Sequence, residues 1–260
     1  AIPLWSFKIA KLFQKKTVVF GCGLGPLKNP KYVKAVQQIL ALSDEIKLRD
    51  SKSVEYAKST LGINRNDIIN SGDSAADYIS TIAKHYEHLD KKPVLACFLR
   101  EWTNEYQGDL SNEEFILNRE KFEKNLATTI KEICQIHHLT PSFYSMHTFV
   151  VGNDDRDFYR RFLKKYFSND EYYLHNKNAN IETTVHAMKT SSINLCMRFH
   201  SVLFASTLDT NFLAIDYTNG GKITGFLTDA SALDKMISLQ SIADNDTAAI
   251  NNWINNSKIQ

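Results

Sequence analysis

The 260-residue chain is short of several things, and each shortage excludes something. Its four cysteines, Cys22, Cys97, Cys134 and Cys196, are far apart and form no CxxC pair. That spacing argues against a zinc-ligand set or a disulfide framework, so buried free thiols in a reducing compartment are expected. No apolar run approaches the roughly 18–20 residues that span a bilayer, and no signal-peptide pattern is visible. A cytoplasmic protein is the expectation. The net charge of +2 is too small to point to nucleic acid, and no Lys/Arg block or aromatic-basic repeat adds to it. There is no internal repeat and no low-complexity segment.

What is present is the composition of a soluble globular chain, with 43% hydrophobic and 23% charged residues. The length allows one large or two modest domains with sizeable cores. Strand-like and helix-like runs alternate almost throughout, the pattern of a parallel α/β sheet. The opening AIPLWSFKIAKLFQKK is apolar at helical spacing and basic at its end. A helix packed on its own domain is the favoured reading; a membrane-surface helix at the inner face of the membrane is the alternative.

In the first block, strands are expected at Thr17–Phe20, Glu45–Leu48 and Asp67–Asn70, with helices at Lys31–Leu42 and Ser51–Leu61. The charged segment Leu89–Pro93 is the expected boundary, giving an N-terminal α/β lobe over 1–90 and a C-terminal one over 91–260. In the second block, strands are expected at Val94–Leu99, Pro141–Met146, Tyr172–His175, Ile193–Met197 and Phe212–Tyr217. Helices are expected near Asn112–His137, Asp155–Phe167 and from Ser201, with a closing surface helix in Asn245–Gln260. The architecture is two doubly wound, Rossmann-like lobes with a cleft between them.

The chemistry-bearing residues fall at one kind of place. Arg49, Arg100, His147, Arg198, His200 and Lys222 all follow predicted strands at their carboxyl ends, where open α/β sheets bind ligands. Each alone is more often structural: a surface arginine is usually solvated, and a lone histidine is usually scaffold. Half the weight for Arg49 goes to a salt bridge with Asp50, itself read as a helix cap. Together, however, cations gathered on one sheet edge suit a small polyanion with separate phosphate and carboxylate groups. Arg198 and His200 pair a fixed cation with a titratable imidazole where a strand hands over to a helix. The glycines Gly21, Gly23 and Gly25 follow the first strand in G-x-G-x-G-P spacing. This is not the dinucleotide fingerprint, and a tight structural turn is as good a reading as a ligand loop.

In order along the chain stand GCGLGPL, IKLRDSKSVEYAKSTLGI, NSGDSAADY, VLACFLREW, FYSMHTFVVGNDDRDF and MRFHSVLFASTLDTNFLAIDYTNGGKITGF. Together these segments, spanning roughly Lys15–Leu227, resemble the polysaccharide pyruvyl transferase family. Two lobes of this kind make a GT-B-like architecture. No G-N-x-G-D-type loop of the family precedes Ala1, so the N-terminal lobe is expected to be incomplete. Gly72-Asp73-Ser74 replaces the family's proline-containing turn, and TNGGK is longer than its usual loop.

The resemblance implies transfer of a pyruvyl group from phosphoenolpyruvate to two hydroxyls of a sugar, forming a cyclic ketal and releasing phosphate. It implies His200 as acid/base, Arg198 as its neighbouring anion contact, and His147 as a second acid/base or acceptor contact. Arg49, Arg100 and Lys222 are the implied phosphoenolpyruvate contacts, with backbone N–H groups from the Gly21–Gly25 loop. Phosphoenolpyruvate is a co-substrate; no cofactor or metal is required, and the sequence offers no metal-ligand cluster. The acceptor's carrier, whether a nucleotide, a lipid or a polymer, is open, as is the oligomeric state. Two rival readings stand beside this one. A GT-B glycosyltransferase using a nucleotide sugar would need an acid for ribose hydroxyls, for which Asp216 and Glu182 are the candidates. A truncated, inactive relative could instead serve as a carbohydrate-binding subunit.

Overall fold

The computed structural model describes every residue except Ala1, Pro26, Lys28, Gln107, residues 150–152, Asn176, Asn178, Ala179, Asn219, Gly220 and residues 258–260. The proline of the glycine loop, the middle of the TNGGK segment and the last residues of the expected tail helix therefore lie outside the described residues. The chain divides into two compact units, Ala1–Asp77 and Tyr78–Gln260.

The first unit is built on a three-stranded parallel sheet. Its strands β1 (Val18–Cys22), β2 (Glu45–Leu48) and β3 (Ile68–Asn70) lie in the order β1-β2-β3. Helix α1 (Ile2–Leu12) precedes the sheet and packs on α2 (Pro30–Leu42). The start of α2 is set by Asn29, whose side chain accepts from the Lys31 N–H, and by proline at the first turn, where no N–H is needed. Helix α3 (Ser51–Glu55) runs into a π-helical turn at Tyr56–Thr60, so the single helix expected over Ser51–Leu61 has two hydrogen-bonding patterns. The core here consists of Leu40, Ile46, Leu48, Ala57, Leu61 and Ile68.

The division between the units falls within α4 (Ala75–Ala83). The segment after α4 belongs with the second unit, where Tyr86 lies edge-on to His186 with ring centroids 5.4 Å apart. The charged Leu89–Pro93 segment thus leads into the second sheet from inside that unit.

The second unit carries a six-stranded, all-parallel sheet. Its strands are β4 (Lys92–Phe98), β5 (Thr140–Tyr144), β6 (Tyr173–His175), β7 (Ser191–Cys196), β8 (Phe212–Asp216) and β9 (Met236–Ser238). They lie in the order β6-β5-β4-β7-β8-β9, which numbered within the unit is the doubly wound order 3-2-1-4-5-6. Between the strands run α5 (Asn112–His137), α6 (Asp155–Tyr166), α7 (Ile181–Thr190), α8 (Phe199–Thr207) and α9 (Lys222–Asp229), followed at the end by α10 (Leu239–Ala243) and α11 (Thr247–Asn255). The inner strands are buried along nearly their whole length, as the continuous apolar runs of β7 and β8 require for a sheet covered on both faces. Helix α5 begins at a capping box: the Ser111 hydroxyl and Glu114 carboxylate each bond the other residue's backbone N–H, and acidic Glu113 and Glu114 suit that end.

Candidate active site

In this strand order the direction of winding reverses between β4 and β7, the topological switch point where such sheets bind ligands. Phe98 of β4 is in register with Cys196 of β7, so Arg100 and Arg198 each stand two residues beyond a paired position on neighbouring strands. Backbone pairing continues past the strand ends, with Met197 N–H donating to Phe98 C=O at 3.0 Å. Cys196 is in turn in register with Ala214 of β8, which brings Tyr217 and the start of α9 to the same edge. Parallel strands lie only about 4.8 Å apart, so the edge gathers these groups by register alone.

Arg100 is buried, 7% exposed, yet no carboxylate among the described residues lies within ion-pair distance of it. Its guanidinium instead sits over two tyrosine rings, 4.6 Å from the Tyr217 centroid and 5.1 Å from that of Tyr106. Nη1 donates to the Tyr217 hydroxyl at 3.1 Å and Nε to the Glu101 carbonyl at 3.2 Å. The two rings meet edge-on at 4.8 Å. Trp102 explains how Tyr106 is held: its indole N–H donates to the Tyr106 carbonyl, while its ring packs on Phe115 and Phe122 of α5. The R-E-W triplet is therefore a cation followed by the anchor of its own cradle.

Lys222, the first residue of α9, brings a second cation to the same aromatic group. Its Nζ is 6.0 Å from the Tyr217 ring and 5.7 Å from that of Phe199. Phe199 also lies edge-on to His200, with centroids 5.5 Å apart. Helix α8 begins at Phe199, earlier than the expected Ser201, with Arg198 as its N-cap. His200 thus stands exposed in the first turn of α8, at the helix end whose macrodipole favours an anion.

Arg198 faces a different partner. Its Nε donates to both oxygens of Asp155, at 2.9 and 2.8 Å, and Nη2 adds a short contact to Oδ1. Asp155 is 1% exposed and also accepts from the backbone N–H groups of Met146 and His147 at 3.0 and 2.9 Å. His147 is half-buried, and its ring lies 5.6 Å from that of Phe149. Of the paired acids in N-D-D-R, Asp154 caps α6 and Asp155 neutralises Arg198. Beneath this edge the Tyr159 hydroxyl accepts from Leu99 N–H at 2.8 Å and lies 3.1 Å from the carbonyls of Cys97 and Tyr144, bolting β4 to β5. Two hydroxyls just past β4 and β5, Thr103 Oγ1 and Ser145 Oγ, are buried without a hydrogen-bond partner among the described residues. Burial pushes the Cys196 thiol up to about 12 and raises Cys97 as well, which leaves both unreactive under the site.

Arg49 and the glycine loop belong to the first unit and form their own arrangement. Arg49 Nε donates to Asp50 at 3.2 Å, and its Nη1 is 3.8 Å from Asp73. A Cβ on Gly23 would lie 2.7 Å from the Arg49 Cζ, so the absence of a side chain at Gly23 is what admits the guanidinium. Gly21 has φ +63°, in the left-handed region that favours glycine. The Ser53 hydroxyl accepts from Leu24 N–H at 2.8 Å while Asp50 caps α3, so GCGLG and RDSKS are two halves of one packed turn. A Cβ on Gly25 would meet nothing within 4 Å among the described residues.

The six expected side chains therefore fall into three groups. Arg100, Lys222 and His200 are linked through Tyr217 and Phe199; Arg198 meets Asp155, which His147 reaches through its backbone N–H; Arg49 sits in the first unit. Sequence reasoning assigned no role to Tyr106, Asp155, Tyr159 or Tyr217, although Tyr217 and Asp155 lie inside quoted motifs. Asp216, one candidate for ribose recognition, is occupied by Thr218 and by the Thr224 hydroxyl at 2.7 Å. Glu182 lies exposed in the first turn of α7. Among the described residues no group of three or more His, Cys, Asp or Glu is placed to hold a metal ion.

Two Rossmann-like lobes with a basic, aromatic-lined edge at the switch point define an α/β protein of the GT-B type. The chain belongs to the polysaccharide pyruvyl transferase family, whose sequence model matches residues 2–219. No curated protein sequence matches it. Among solved structures it is similar to UDP-GlcNAc 2-epimerase from Methanocaldococcus jannaschii, with TM-score 0.63 and 16% identity over 99% of this chain and 68% of that one. It is also similar to UDP-GlcNAc 2-epimerase from Neisseria meningitidis, with TM-score 0.55 and 15% identity over 98% of this chain and 70% of that one. A third likeness is to α,α-trehalose 6-phosphate synthase from Burkholderia multivorans, with TM-score 0.55 and 10% identity over 98% of this chain and 62% of that one. At such identities the likeness establishes the fold. This chain spans roughly two thirds of the length of these neighbours.

Proposed function

We propose that the protein transfers the pyruvyl group of phosphoenolpyruvate to two hydroxyls of a sugar, releasing phosphate. Family membership supports this reading, and one observation carries it: Arg100 is a buried guanidinium over two tyrosine rings with no carboxylate among the described residues to neutralise it. A buried charge without a counter-charge is costly. An anionic ligand at the switch point supplies the missing partner, and Lys222 beside the same ring supplies a second contact for a dianion.

The reaction needs a proton delivered to the methylene carbon of phosphoenolpyruvate, which leaves oxocarbenium character on the carbon bearing the phosphate. One sugar hydroxyl attacks that carbon and gives up its proton; the carbon–oxygen bond to phosphate breaks, and the second hydroxyl closes the ketal. One hydroxyl proton thus balances the new methyl group and the other the released phosphate. His200, exposed beside the Arg100–Lys222 group, is the proposed acid/base. Arg100 and Lys222 hold the donor and stabilise charge on the departing phosphate. Arg198, already neutralised by Asp155, is assigned the positioning of the β7–α8 turn that presents His200. His147, held through its backbone to Asp155, is a secondary candidate for acceptor contact, together with the unpartnered hydroxyls of Thr103 and Ser145. Arg49 is a candidate contact from the first unit.

The test is phosphate release from phosphoenolpyruvate in the presence of a panel of sugar acceptors. The His200→Ala variant should stay folded and lose this activity, and near-normal turnover would sink the assignment. The solved neighbours include an epimerase in complex with UDP-GlcNAc and UDP, which supports a nucleotide-linked sugar as one acceptor to include. Thermal stabilisation by nucleoside diphosphates and none by phosphoenolpyruvate would favour the glycosyltransferase reading.

A further inference from the structure

Charge is distributed along this chain in a way its total conceals. Residues 1–43 contain seven lysines, at positions 8, 11, 15, 16, 28, 31 and 34, no arginine and no Asp or Glu. The segment carries +7 against a total of +2, so the remainder carries 2 − 7 = −5. Within it, α1 is apolar on two sides. Leu4, Phe7 and Ala10 are half-buried on the side that packs on α2. On the other side Ile2, Trp5, Ile9 and Leu12 recur at the spacing of one helical stripe, and they are 82%, 63%, 53% and 79% exposed. Phe13 continues the stripe at 66% exposed. No residue of α1 is buried.

Lysines stand on α1, just after it and on the neighbouring helix α2. Lys8 Nζ lies 5.4 Å from the Trp5 ring, Lys15 and Lys16 follow the helix end, and Lys31 and Lys34 are exposed on α2 beside exposed Tyr32. Lys11 and Lys16 are held by Asp44 and Glu45, which fixes their stems against the unit. An apolar stripe with a tryptophan, on a helix that carries lysines and no acid of its own, is the pattern of a helix lying in the plane of an anionic bilayer surface. No helix among the described residues is long and apolar enough to cross a membrane, so this helix would lie on the surface. We propose that α1, with the exposed lysines of α2, docks the protein on membranes rich in anionic lipid. The surface holds no residue of the proposed active site, so its failure leaves that reading untouched.

Trp102 and Trp253 are 5% and 2% exposed, which makes Trp5 the natural optical reporter. The full chain would be mixed with vesicles of phosphatidylserine and phosphatidylcholine, and separately with phosphatidylcholine alone. Co-sedimentation with the anionic vesicles, a blue shift of tryptophan emission and protection from acrylamide are expected. Binding should weaken by about tenfold or more as salt screens the lysines. Leu12→Glu should lose the blue shift, and Lys8→Glu with Lys15→Glu, both on exposed side chains, should lose vesicle binding while keeping the native circular-dichroism spectrum. Absent binding, equal binding to neutral vesicles, a dimer that shields Trp5 without lipid, or the same shift with RNA in place of vesicles would each overturn the proposal.

Discussion

Arg198 and Asp155 form a two-point ion pair, with Nε between both carboxylate oxygens at 2.9 and 2.8 Å and Asp155 only 1% exposed. The pair ties the turn after β7 to the first turn of α6, while the same carboxylate takes the N–H groups of Met146 and His147 after β5. Replacing Asp155 by Ala strands a guanidinium and two N–H donors together. Removing one partner of a buried pair costs about 3–5 kcal/mol, so urea denaturation of Asp155→Ala should show a loss of that size. A change under about 1 kcal/mol would show that water replaces the carboxylate.

Gly23 makes a sharper prediction than its place in a glycine-rich loop suggests. A methyl group there meets the far end of the Arg49 side chain, with no backbone in the way. The guanidinium can swing aside, so Gly23→Ala should cost no more than about 1 kcal/mol in stability. If Arg49 contacts the donor, Gly23→Ala should nevertheless reproduce the activity loss of Arg49→Ala. Full activity in Gly23→Ala with none in Arg49→Ala would show that the packing of Arg49 on the loop is not what its function requires.

The strand ends were legible in the sequence because short apolar runs such as Val94–Leu99 and Phe212–Tyr217 stop abruptly at charged or polar residues. That sufficed to place Arg100, Arg198 and His200 at one edge. It did not show which cations were already neutralised. Arg198 finds Asp155, forty-three positions away, and Arg100 finds Tyr217, separated by 117, only through strand order and register. No local pattern encodes those pairings. Helix α7 was missed because Thr183-Thr184-Val185 is a β-branched run that reads against a helix; burial of Thr184, Val185 and Met188 overrides it. Strand β9, three residues long, carries too little pattern to be read.

Tyr217 separates two ways of holding Arg100, since its ring and its hydroxyl both engage the guanidinium. A desolvated cation–π contact is worth about 2 kcal/mol. Tyr217→Leu should therefore raise the KM for phosphoenolpyruvate by about tenfold or more. Tyr217→Phe keeps the ring, loses one hydrogen bond, and should show a smaller rise. Equal effects of the two variants would mean that the hydroxyl, and not the ring, orients the arginine.

Asp44 governs how the first unit responds to acid. The Lys11 ammonium at 2.6 Å, then the Thr17 N–H at 2.7 Å and the Thr17 hydroxyl, hold its carboxyl down to about 2. A carboxyl depressed by folding contributes stability that is complete above its unfolded value of about 4 and disappears as pH falls through the folded value. Wild-type protein and Asp44→Asn should therefore differ most above about pH 4, converge between about 4 and 2, and unfold alike below that. Because Lys11 lies on α1, the Asp44→Asn variant should also loosen that helix. Acrylamide quenching of Trp5 reports this directly: in wild-type protein it should change across the same interval of pH, and in Asp44→Asn it should stay flat.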